Sequence, residues 1–351
     1  MVSRRITLRA AGALLGGVGA GCLGQSGPTD ERIRWQKRVR GSPVLDGDSL
    51  YVLDRLTLYA LSPTDGSAQW IVEYDESEFD ERLCLGSALA VDDSRIYVPA
   101  CDGLRALGRA NGTQEWFVGS PLRNGVAVGH GRVYANGEGL LAIDAGSGSV
   151  DWRAPLGGDR LTRPAVAGDA VVVTNRRDGV VVAYDAAAER RWRRRTDVET
   201  RSPTVADGTV YVATTSDPGR SGRLLALDLS DGSEQWAVDT PSPRRGTRPV
   251  VGSDAVYLGC TGRNHGTLVA LRRSDGSERW SFTDGNSGVY EPVVAGGTVY
   301  AGSNDDRLYA FSTDGDRRWT IDTGSTVGDV AVGDGLVYAS NNERLLAVDR
   351  T

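Results

Sequence analysis

The sequence predicts an all-β protein: an eight-bladed β-propeller of four-stranded antiparallel blades, closed by pairing its own N-terminal strand with the last blade. Three observations predict it. Eight tryptophans, Trp35, Trp70, Trp116, Trp152, Trp192, Trp236, Trp280 and Trp319, recur at intervals of 35 to 46 residues, the length of one four-stranded blade. The 351 residues include 46 glycines, with short Val, Tyr and Ala runs between them, as many tight turns and short strands require. The last repeat has no tryptophan, while the first segment is an orphan strand that carries one.

The chain opens on an address rather than on fold. Ser3-Arg4-Arg5-Ile6-Thr7-Leu8-Arg9 is a basic start, followed by a Gly, Ala and Leu run from Ala10 to Ala20. That run is shorter than the ~20 apolar residues needed to cross a bilayer, so residues 1–21 read as a cleaved export signal. Arg4 and Arg5 resemble the pair of a twin-arginine signal, although Thr7 stands where a hydrophobic residue is usual; general secretory export is the alternative. Gly19-Ala20-Gly21-Cys22 resembles a lipobox, which implies a lipid on Cys22. Residues 22–32 are then a polar, turn-rich tether. The chain is expected outside the cytoplasm, anchored by lipid to the outer face of the cytoplasmic membrane.

The rest, residues 33–351, is one array. Seven segments share a pattern, among them Ala60–Trp70 (ALSPTDGSAQW), Ala142–Trp152 (AIDAGSGSVDW), Ala226–Trp236 (ALDLSDGSEQW) and Ala270–Trp280 (ALRRSDGSERW). The alanine is small where blades pack. Asp-Gly or Ser-Gly makes the turn, with Gly free to take positive φ. The tryptophan ends the outer strand and buries an aromatic face between blades. A second landmark fixes the register. A strand opener sits eight residues before a tyrosine in Pro43/Tyr51, Pro203/Tyr211, Pro249/Tyr257 and Pro292/Tyr300. Pro164/Val172, Leu89/Tyr97, Val126/Tyr134 and Val330/Tyr338 keep the spacing, giving eight inner hairpins. The eighth unit ends at Ala347-Val348-Asp349-Arg350-Thr351 without a fourth strand, so the strand of Ile33–Val39 must supply it.

The Ala-x-Asp-x-x-x-Gly-x-x-x-Trp pattern resembles the tryptophan-docking motif of the pyrroloquinoline-quinone (PQQ) repeat family, over residues 33 to 350. The family's first implication is a quinoprotein dehydrogenase. Those enzymes are much longer and hold their cofactor against a disulfide between adjacent cysteines. This chain has neither adjacent cysteines nor a Cys-x-x-Cys-His haem motif, so no cofactor is expected and the chain reads as non-enzymatic. A closer resemblance is to the lipid-anchored, non-catalytic propellers of outer-membrane β-barrel assembly. It implies a monomeric scaffold for a protein or cell-envelope partner. The alternative is a small molecule or anion bound at the channel mouth.

Composition excludes other classes. The net charge is −6, and loss of the leader with Arg4, Arg5 and Arg9 makes the mature chain still more acidic, which disfavours nucleic acid. Lys37 is the single lysine, an arginine bias that fits a GC-rich, salt-adapted microbe such as a halophilic archaeon. His130 lies in a hairpin turn and His265 in a loop, and neither belongs to a zinc motif or a catalytic triad, so no metal is expected. Cys84 and Cys101 flank the inner hairpin of the second blade. They form a disulfide or remain two separate buried thiols; export permits either. Glu73, Asp75, Glu76, Glu78, Asp80 and Glu81 read as a solvated loop. Arg190, Arg191, Arg193, Arg194 and Arg195 read as a charged edge strand, with contact to a partner or to anionic lipid as the functional alternative.

The register also predicts a site. First strands line the channel of a propeller, so the residues before the strand openers ring one mouth. They are Ser42, Ala88, Gly125, Arg163, Ser202, Arg248, Glu291 and Asp329, with Arg201 and Tyr290 one position earlier in their blades. Arg163, Arg201 and Arg248 then share one side, and with Tyr290 beside them suit a carboxylate or phosphate. The plainer expectation is that Arg248 pairs with Glu291 to neutralise a wet channel.

Overall fold

The computed structural model describes residues 7–10 and 30–351 except 76–88, 101, 121, 123–124, 157–159, 197, 216–221, 241–244, 263–264 and 284–287, with backbone alone for 7–10 and 245. The described residues form strands and turns and no helix. The strands make eight separate antiparallel sheets, one per blade. Blade 1 is Val44–Asp46, Ser49–Asp54, Thr57–Leu61 and Ala68–Glu73. Blades 2 to 7 repeat this order, and blade 8 is Val327–Val332, Leu336–Asn341 and Leu345–Asp349. Its fourth strand is Ile33–Lys37, paired antiparallel as Trp35↔Ala347, Gln36↔Leu346 and Lys37↔Leu345. The closure is therefore as the sequence requires. Thr7–Ala10, within the stretch read from sequence as an export signal, lies as a fifth strand along the outer edge of blade 1.

The register of the inner hairpins follows the landmark spacing. The residue after each opener pairs with the tyrosine position, as in Val44↔Tyr51, Ala90↔Tyr97, Thr204↔Tyr211 and Ala331↔Tyr338. The tyrosine pairs in turn with the motif alanine, and the alanine with the tryptophan, as in Tyr211↔Ala226↔Trp236. Directly paired residues project to the same face of a sheet. The two rings therefore meet over the alanine, with centroids 5.7 Å apart for Tyr97–Trp116 and 5.9 Å for Tyr211–Trp236. This is why the position is alanine: a longer side chain there enters the volume of both rings.

Each tryptophan then reaches the next blade. Its Nε1 donates to the carbonyl three residues after the next motif alanine: Trp70 to Arg109 at 3.1 Å, Trp192 to Leu229 at 2.8 Å, Trp236 to Arg273 at 2.9 Å. All eight do so, including Trp35 to Pro63 and Trp319 to Arg350, the two contacts that flank the closure. The core divides accordingly into eight clusters, each shared by two neighbouring blades. The one that closes the ring joins Leu50, Val52 and Leu61 of blade 1 to Tyr338, Leu345 and Ala347 of blade 8.

Arginine takes the acceptor position in three blades and clips the junction further. Arg109 reaches the Tyr51 hydroxyl and the Asp46 carbonyl of the preceding blade, and Arg273 reaches the Tyr211 hydroxyl and Asp207. Arg350 likewise reaches Tyr300 and the Ala295 carbonyl. His130 has φ of 55° in its turn, and His265 is exposed. Cys260 is fully buried in blade 6. Cys22, Cys84, Cys101, Arg4, Arg5 and Ala88 lie outside the described residues.

Candidate functional site

The first strands are short, three residues in most blades, and those of adjacent blades lie beside one another around the ring. The chain enters each of them from the rim, so the side chains just before the openers collect at one end of the channel. A cavity of 770 Å³ opens there. Ser42, Gly125, Arg163, Ser202, Arg248, Glu291 and Asp329 all line it, and Arg201 joins them. These are all the described members of the ring that the register brings to one mouth. A second cavity of 470 Å³ continues between the first strands of blades 1 to 5, and Arg163 and Arg248 line both. These two side chains, with Val44 and Leu89, lie where the two cavities adjoin.

The charges are arranged unequally. Arg248 donates from Nε and Nη2 to one oxygen of Glu291, at 3.0 and 2.8 Å. Both groups are about one-third exposed, so this is the wet ion pair expected of a channel. Ser42 donates its hydroxyl to Asp329, linking blades 1 and 8. Arg163 is different. Its Nε donates to the Val126 carbonyl at 3.0 Å, and it forms no ion pair among the described residues. Burial, and then the nearby charge of Arg248, push its guanidinium pKa down, with Glu291 opposing.

Two features correct the sequence reading. Tyr290 does not stand beside the arginines. Its hydroxyl donates to Asn304 at 2.7 Å and its ring lines a neighbouring hollow with Gly41, Gly328 and Asp329. Burial and the Asp329 charge both push its pKa up, which keeps it a neutral donor. The sequence reading also missed Arg160 and Arg176, which line the same cavity as Arg163. They enter because the approach to the first strand of blade 4 runs back along the end of its second strand. Leu161 bridges Asn175, and Arg176 N–H donates to the Arg160 carbonyl at 2.8 Å. Arg176 lies 3.4 Å from Glu199. The available signal was the basic pair Arg176-Arg177 just after the second strand, at the same rim as the openers.

The arginine-rich outer strand of blade 4, Arg190–Arg195, is partly self-neutralised: Arg191 pairs with Asp169 and Arg194 with Glu234 of the next blade. Of the acidic loop, residues 76–88 lie outside the described part. Among the described residues no group of three His, Cys, Asp or Glu side chains is placed to hold a metal ion.

Comparison with known proteins fixes the lineage. A family model described as "Outer membrane protein assembly factor BamB" matches residues 100–248 and 165–351. Over 272 residues the chain is 32% identical to the serine/threonine-protein kinase AfsK of Streptomyces coelicolor, covering 73% of this chain and 33% of that protein. Over 210 residues it is 32% identical to the outer membrane protein assembly factor BamB of Alkalilimnicola ehrlichii, covering 55% and 52%. The chain thus spans between a third and about half the length of these relatives. Among solved structures, BamB from Moraxella catarrhalis superposes with a TM-score of 0.71 at 20% identity, over 90% of this chain and 99% of that one, a likeness of fold. The chain belongs to the PQQ-repeat family of β-propellers whose model carries the BamB description.

Proposed function

We propose that this chain is an exported, lipid-anchored propeller that holds a protein or cell-envelope component and catalyses nothing itself. The observation that carries the reading is the family match over residues 100–351, to a model described as an assembly factor, downstream of the leader-like residues 1–21 and Cys22. The build of the ring supports it. Eight tryptophan contacts and eight shared core clusters make a stiff platform, and stiff surfaces bind with less ordering cost than flexible ones. The partner is a membrane protein or an assembly machine of the envelope, and the propeller acts as a monomer at the outer face of the membrane that carries the lipid.

The anchor is tested by fractionation. Cys22→Ser is expected to move the protein from the membrane pellet to the soluble fraction or to leave it unprocessed, and Arg4→Lys with Arg5→Lys to block export through the twin-arginine route. A mature N-terminus without lipid at a residue other than Cys22, seen by mass spectrometry, defeats this part. Crosslinking in native membranes followed by co-purification tests the scaffold. Recovery of the propeller alone, at every crosslinker length, is the outcome against it.

A further inference from the structure

We propose that the cavity at the channel mouth is a binding site for a phosphate group, held by Arg163 where the cavity meets the channel and by Arg160 and its neighbouring arginines at the rim. Five arginines line the cavity: Arg160, Arg163, Arg176, Arg201 and Arg248. Two carboxylates line it with them, Glu291 and Asp329. Glu291 is engaged by Arg248, and Asp329 takes the Ser42 hydroxyl on the far side. Among the described residues no carboxylate lies within ion-pair distance of Arg160 or Arg163. A half-buried guanidinium that lines the same two cavities as a second one, with a backbone carbonyl as its partner, is an arrangement that a bound anion relieves.

The frame that carries these arginines is rigid before any ligand arrives. Thr162 N–H donates to the Thr174 carbonyl at 2.9 Å, and the two threonine hydroxyls lie 2.8 Å apart. The Thr174 hydroxyl also donates to the Arg201 carbonyl at 3.0 Å, which ties the approach of blade 5 to blade 4. Asn136 of blade 3 donates its side-chain amide to the Thr162 carbonyl. Thr162 and Thr174 are buried, so this lattice is shielded from water and fixes where the flanking arginines emerge.

The arrangement favours phosphate over carboxylate. A carboxylate offers two oxygens in one plane and suits a single guanidinium fork. Here the arginines come from blades 4, 5 and 6, consecutive sectors of the ring, and so approach one centre from different directions. A tetrahedral phosphate presents oxygens along several of those directions and carries about two negative charges at neutral pH. The group belongs either to a soluble phosphorylated molecule or to a phospholipid headgroup.

Titration calorimetry of the full chain with inorganic phosphate at low salt tests this. One site per chain is expected. Arg163→Gln and, separately, Arg160→Gln should each weaken it by about tenfold or more. Arg190→Gln, on the outer strand of blade 4, should leave it unchanged. Arg160 is exposed, so its variant folds even if that of Arg163 does not. Absence of binding at millimolar phosphate, or equal binding by Arg160→Gln and the parent, overturns the proposal. Sedimentation with phosphatidylcholine vesicles, with and without phosphatidic acid, identifies the source. Arg163-dependent capture on phosphatidic acid assigns a headgroup, and phosphate binding without capture assigns a soluble ligand.

Discussion

Deletion of residues 23–40 is expected to remove most of the stability of the ring, although it takes away a single five-residue strand. Ile33–Lys37 is the fourth strand of blade 8 and runs on in the chain to blade 1, so its pairing ties the two ends of the ring together. Without it, Leu345–Asp349 becomes an open edge and the junction with blade 1 loses three contacts. The Trp35 Nε1 bond to the Pro63 carbonyl goes, as does the Lys37 Nζ bond to the Gly66 carbonyl at 2.7 Å. The apolar cluster joining Leu50 and Val52 to Tyr338 and Leu345 is exposed on one side. Truncating a fully buried aromatic costs roughly 3–5 kcal/mol, and the partly buried Trp35 ring a share of that. Folded domains hold about 5–15 kcal/mol in total. Trp35→Ala alone is therefore expected to lower the urea midpoint clearly, and the deletion to give a chain that is unfolded or associated through its open edge by size-exclusion chromatography. A monodisperse deletion variant with the parental midpoint would show that seven blades and an incomplete eighth are enough.

Much of this was legible because a propeller repeats one local solution. The spacing between Pro43 and Tyr51, or Val126 and Tyr134, is fixed by a two-strand hairpin with a tight turn, and any slip by one residue would turn the tyrosine to the wrong face. Backbone placement of the mouth residues followed from the same register. What did not follow is where long side chains point. Tyr290 and Arg201 sit at equivalent positions in their blades, yet Tyr290 turns to Asn304 while Arg201 lines the arginine cavity. Periodicity fixes the face of a residue, and the rotamer is then chosen by neighbours distant in sequence. Arg160 and Arg176 were missed for a related reason: they lie in rim segments of irregular length, outside the repeat. Arg105 is a further case. It is 2% exposed in the third strand of blade 2, forked onto Asp102 at 2.7 and 2.6 Å and stacked 4.7 Å from the Phe117 ring. An alternating strand pattern marks that position as ordinary.

The turn glycine of the repeat gives the second large effect. Gly276→Ala is expected to cost roughly 2–4 kcal/mol, well above the cost of a positive φ alone. Gly276 has φ of 73°, and a Cβ placed on it lies 2.6 Å from Trp236 Cε3 and 2.8 Å from Val238 Cγ1. The same approach recurs at Gly112 against Trp70, Gly148 against Trp116 and Gly232 against Trp192. The glycine thus serves two ends, the turn and a flat seat for the indole of the preceding blade, and the second is not readable from turn preferences. Gly131 separates the two. Its φ is 69°, nearly the same, but a Cβ there meets nothing within 4 Å. Gly131→Ala should therefore cost about 1–2 kcal/mol, the backbone penalty alone. Blade 4 supplies a natural comparison: its hairpin is one residue shorter and carries Ala188 at φ of 70° in the turn that receives Trp152. Ala188→Gly is expected to gain up to about 1 kcal/mol by relieving the left-handed backbone. Chemical denaturation of the three variants against the parent decides the matter. Equal losses for Gly276→Ala and Gly131→Ala would mean that the indole seat yields freely, and that the glycine is kept for its turn and not for the tryptophan above it.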